Sequence, residues 1–115
     1  MPAAKAAKTV RDDLFKAFEE MIQKAMKPDI PIPQRQAAFN RAQELRAQWV
    51  ELEAARFNSD AATFEKAQKR VSDAVTDLRR AIQDIDDMVK IAEKATKVFG
   101  FVDKLLKQAV KFVAI

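Results

Sequence analysis

The stretch FEKAQKRVSDAVTDLRRAIQDIDDMVKIAEKATKVF, residues 64–99, decides the fold class. Within it Phe64, Ala67, Val71, Ala74, Leu78, Ala81, Ile85, Met88, Ala92, Ala95 and Phe99 recur at steps of three and four. That period sets them on one face of an α-helix, whereas a half-buried strand would alternate every second residue. Val75, Ile82 and Val89 flank the seam and broaden it. No Gly or Pro interrupts residues 59–99. Asp84, Asp86 and Asp87 are weak helix formers, but the unbroken register predicts one continuous helix from Ser59 to Phe99.

The neighbouring segments carry the same period. Val10, Leu14, Phe15, Phe18, Met21, Ile22, Ala25 and Met26 fill about half a helical wheel and predict a first helix from about Lys5 to Lys27. Pro28, Pro31 and Pro33 then forbid helix over a linker, residues 28–33, because each removes a backbone donor and biases its predecessor toward extended backbone. Ile30 and Ile32 in that linker are expected to pack over a bundle end. Pro33 suits a first helical turn. Ala38, Ala42, Leu45, Trp49 and Leu52, widened by Phe39, predict a second helix to about Arg56. Residues 57–60 form the turn, with Asn58 suited to left-handed backbone and Ser59 or Asp60 to capping the next helix. Beyond Gly100, residues 101 to about 113 predict a shorter amphipathic C-terminal helix. The expected fold is therefore all-α: one domain, an elongated antiparallel bundle of three long helices plus that C-terminal helix.

A helix from Ser59 to Phe99 would span about 60 Å at about 1.5 Å per residue, while its two predecessors reach only about 35 Å. The seam from Ile85 onward then needs another cover: the C-terminal helix folding back at Gly100, a second copy of the chain, or a different partner. Gly is favoured just beyond a helix end, which makes Gly100 the expected hinge. The apolar spacing nevertheless runs on through Val102, Leu106, Ala109 and Val113, which would suit an uninterrupted helix.

Composition limits the chemistry. The chain's 115 residues include no Cys, no His, no Tyr and one Gly. Disulfides, thiolate nucleophiles, imidazole bases, His or Cys metal sites and glycine-rich phosphate loops are thereby excluded. Asp73, Asp77 and Asp84 share one stripe, read as a solvated face with pairs such as Asp77 to Arg80. Ser59 and Ser72 are the only serines and have no base in view. No catalytic, cofactor-binding or metal-binding residue is expected, and the chain reads as a non-enzyme. Its alanine-rich composition resembles that of bacterial or phage proteins.

The net charge of +4 resides in residues 94–115, where five lysines face Asp103 alone. Elsewhere Lys66, Lys69, Arg70, Arg79 and Arg80 are interleaved with acids, so nucleic acid is an unlikely partner, and a small-molecule substrate is not expected. Trp49 reads as core, with an exposed partner anchor as the sharper alternative. The expected interface is the helix seam together with Phe99, Phe101, Val102, Leu105, Leu106, Val110 and Phe112, rimmed by Lys104, Lys107 and Lys111. These point to a helical protein–protein interaction module, such as an adaptor, inhibitor, secretion accessory or self-assembling subunit, whose partner is another protein or a second copy. The alternative is a membrane-active protein whose basic amphipathic C-terminal helix inserts at a lipid surface. Met1–Val10 lacks a signal-peptide core and no run approaches the about 20 apolar residues of a spanning helix, so the chain is expected in the cytoplasm as synthesised, with non-classical export as a further route.

Overall fold

The structure, a computed structural model, describes residues 3–58, 60–84 and 87–110. Among these, four helices follow one another: α1 (Lys8–Ala25), α2 (Ile32–Ala54), α3 (Ala62–Asp84) and α4 (Met88–Leu106). Each reverses direction relative to its predecessor. Around the bundle α1 packs on α2, α2 on α4, α4 on α3 and α3 on α1. The result is the expected elongated all-α bundle, 53 × 27 × 18 Å.

The expected continuous helix is broken. α3 ends at Asp84 and α4 starts at Met88, so the chain folds back inside the unbroken heptad register. Burial explains the preference. A straight helix would leave much of its seam in water, whereas the hairpin buries Val71, Val75, Leu78, Ala81 and Ile82 of α3 and Ile91, Ala95, Val98, Val102 and Leu105 of α4 in one core. Asp87 supplies the start signal: its Oδ1 accepts hydrogen bonds from the amides of Val89 (3.0 Å) and Lys90 (3.3 Å). Ile85 and Asp86 lie outside the described residues.

Gly100 is consequently not where the chain turns. It sits within α4, and residues 101–106 complete that helix instead of starting a separate one. The seam of the expected third helix is thus covered by the chain's own hairpin. Asn58 also differs from expectation: no described residue other than Gly has positive φ, and Asn58 is extended. It pairs in a two-residue antiparallel ladder, β1 (Ala3–Ala4) against β2 (Phe57–Asn58), while its Oδ1 accepts from the Asp60 amide at 3.1 Å. Ser59 lies outside the described residues.

The core runs the length of the bundle, with Leu14, Met21, Leu45, Leu52, Leu78, Met88, Ile91 and Leu105 fully buried. At the β1–β2 end Phe57 is fully buried and stacks on Phe64, ring centroids 5.0 Å apart. The amide of Val110 donates to the Arg56 carbonyl at 2.7 Å, tying the chain after α4 to this end. At the opposite end Ile30 is buried as expected, but Ile32 at the start of α2 is exposed. Between α1 and α3, Arg79 donates from Nε to Glu20 (2.6 Å) and from Nη1 to Asp13 (3.2 Å).

Candidate functional site

α1 carries two apolar stripes, not one. Val10, Leu14, Ala17, Met21 and Ala25 are buried in the core. Phe15, Phe18, Ile22 and Met26 lie one position further round, at steps of three and four, and face the groove between α1 and α2. Phe15 is half-buried and meets Phe18 at 5.6 Å and Trp49 of α2 at 4.8 Å, both tilted. Arg11 lies on the same edge of α1 and donates to Glu53 at 2.8 Å, which fixes the antiparallel register. Phe39 precedes Glu53 by two heptads, so it shares the edge of α2 that faces α1. The two helices therefore present one apolar strip running from the Arg11–Glu53 ion pair past Trp49 to Phe39, Met26 and Ile32. Its far end is the wettest: Phe39 is 44 % exposed, Met26 71 % and Ile32 70 %. Arg46, exposed one heptad beyond Phe39 on the same edge, sets a positive charge within the strip, between its aromatic end at Trp49 and its wetter end at Phe39.

The outer groove between α3 and α4 is of different character. Near the β1–β2 end it opens into a cleft of about 240 Å³ with Ala67 and Phe101 among its lining and Lys66, Arg70 and Lys104 around it. The Lys104 ammonium lies 5.7 Å from the Phe101 ring centroid. Toward the α3–α4 turn Asp77 accepts from Lys94 at 2.9 Å, an inter-helix pair in place of the expected one with Arg80. That hydrogen bond holds the Asp77 carboxyl below the usual carboxylate range against the opposing effect of burial, with the charges of Lys94, Lys97 and Arg80 adding to it.

The residues expected at the interface divide four ways. Val102 and Leu105 are fully buried in the core, so they are structural and do not form an exposed seam. Phe99, Phe101, Leu106 and Val110 are half-buried, and Lys104 and Lys107 are exposed. Lys111 and Phe112 lie outside the described residues. The Gly100 position is exposed, and a Cβ built there meets nothing within 4 Å. Gln48 of α2 is buried against α4, donating to the Phe99 carbonyl and to Asp103 Oδ1, both at 3.0 Å.

The aromatic strip on α1 and α2 was the feature missed. On α1 an apolar arc covering half the wheel reads as one wide face, and Trp49 reads as core with an exposed partner anchor as the alternative. The doubled spacing, Leu14-Phe15 and Met21-Ile22, was the available signal that two faces were present. Among the described residues no group of three or more acidic side chains could hold a metal ion, and no helix is long and apolar enough to cross a membrane. No protein-family model matches the chain, and neither a curated protein nor a solved structure matches it.

Proposed function

We propose that this protein is a non-enzymatic helical interaction module that docks another protein chain, or a second copy of itself, through the aromatic strip between α1 and α2. The observation that carries the reading is the strip itself: Phe15 in contact with both Phe18 and Trp49, together with the exposed Phe39, Met26 and Ile32. Clustered exposed apolar side chains of this kind mark interaction sites on protein surfaces. Aromatic and Met side chains are also the enriched anchors of interface centres. The facing edges of two neighbouring helices can receive an amphipathic helix through its i, i+4 and i+7 side chains. The absence of Cys, His and Tyr supports the non-enzymatic part. The membrane-surface alternative would require Val102 and Leu105 to leave the core, and no observation favours it.

Photo-crosslinking tests the proposal. A benzophenone amino acid replaces Phe39 in the strip, or Glu93 on the exposed face of α4 as the control. The expected result is a discrete crosslinked species from position 39, either a dimer or a complex with one other protein, and none from position 93. Equal or absent crosslinking at the two positions would refute the proposal. Light scattering coupled to gel filtration then separates the occupants: a dimer means a second copy, and a monomer directs the search to another protein.

A further inference from the structure

We propose a second, independent recognition site: the outer groove between α3 and α4 binds an acidic amphipathic helix of a partner protein. Lys66 and Arg70 stand one turn apart on α3, with Lys104 across the cleft on α4. Among the described residues neither Lys66 nor Arg70 forms a hydrogen bond or ion pair, and Lys104 contacts only the Phe101 ring. Three cations left without acidic partners around an apolar floor call for an anion that also carries an apolar group. A carboxylate-bearing segment satisfies both, its acids meeting the cations and one apolar side chain seated on Ala67 and Phe101.

The groove also selects the form of the ligand. It continues past Phe101 and Arg70 into a second cleft of about 310 Å³, lined by Asp73, Ala74 and Asp77 of α3 and Lys97 of α4, so that both signs of charge meet there. The occupant must therefore be elongated and must not be uniformly anionic. A nucleic-acid strand would place phosphates against Asp73 and Asp77. A lipid surface would reach the lysine tips but not the floor between the helices. A helix with acids toward one end and apolar residues at i and i+7 fits, because Ala67 and Ala74 lie seven residues apart on the α3 side and leave room for such side chains.

The test uses the intact chain and a fluorescein-labelled fifteen-residue helical peptide of Glu, Ala and Leu, with leucines at i, i+4 and i+7. A version with every Glu replaced by Lys is the control. The expected result is saturable anisotropy with the acidic peptide alone, with amide shifts confined to residues 63–77 and 97–108. The double variant Lys66→Glu/Lys104→Glu should weaken binding about tenfold or more, since charge reversal beside a bound carboxylate replaces attraction by repulsion. Both positions are exposed, and circular dichroism confirms that the variant is folded. Absence of binding, equal binding by the double variant, or tighter binding of a twelve-nucleotide oligothymidylate or of phosphatidylserine vesicles would overturn the proposal. None of these outcomes depends on the strip between α1 and α2, whose crosslinking test stands or falls separately.

Discussion

Replacing Gly100 by Ala should stabilise the protein. Gly100 lies inside α4, has no positive φ, is exposed, and offers open space where a Cβ would stand. No clash or backbone strain then opposes the substitution. Its effect is on conformational entropy: Gly in a helix interior costs about 0.5–1 kcal/mol relative to Ala. Unfolding entropy near about 2.1 cal/mol/K per residue converts that into a melting-point rise of about 2–4 °C for a chain of this length. Urea denaturation followed by far-UV circular dichroism should give a higher midpoint at unchanged slope, because the surface exposed on unfolding is the same. An unchanged or lower midpoint would show that the chain does not run helically through position 100, and would return Gly100 to the role of a hinge.

Three other substitutions probe separate parts of the bundle. Phe57→Ala should cost about 3–5 kcal/mol in the same urea assay, since Phe57 is fully buried and stacks on Phe64. Arg79→Ala should cost about 1 kcal/mol, a modest figure because Arg79 is partly exposed, and the cost should shrink in 1 M salt (a Debye length of about 3 Å) as screening weakens the bonds to Asp13 and Glu20. The Asp77–Lys94 pair should add to the acid dependence of stability. The folded carboxyl has the lower pKa, so the unfolded chain binds the proton more readily, and the contribution is full above about pH 4 and disappears as pH falls through the folded value. Asp77→Asn should remove that part of the slope in urea midpoints measured between about pH 2 and pH 6.

Where the fold was legible, and where it was not, has local causes. The proline run Pro28–Pro33 and the apolar period on either side placed α1 and α2 within a few residues of their observed ends, because proline stereochemistry and helix amphipathicity are local properties. The break between α3 and α4 is not marked by Gly or Pro. α4 buries Ile91, Val98 and Leu105, one position before the expected Ala92, Phe99 and Leu106, yet both stripes keep steps of three and four, so the apolar spacing passes over the turn and conceals it. Two signals remained: the Asp-rich run ending in the N-cap Asp87, and a seam too long for its neighbours to cover. Gly100 misled in the opposite direction, since the burial of Val98, Val102 and Leu105 outweighs the small helix penalty of one exposed Gly. The ladder of Ala3–Ala4 with Phe57–Asn58 has no sequence signal, being two residues long and set by the approach of the chain ends of two helices. The α1–α2 strip and the α3–α4 groove depend on which helices become neighbours, and that follows only once the fold-back is known.

The four-helix fold and the α3–α4 groove rest on α3 and α4 being antiparallel neighbours, and one distance tests it. The chain has no native Cys, so nitroxide labels can be placed singly at Lys66→Cys and Lys104→Cys and their separation read by double electron–electron resonance. These residues line one cleft, and packed helix axes lie about 10 Å apart, so a single distance below about 25 Å is expected once the label arms are included. A distance near 57 Å, the length of an unbroken helix at about 1.5 Å per residue between the two positions, would contradict the hairpin and with it the groove between α3 and α4.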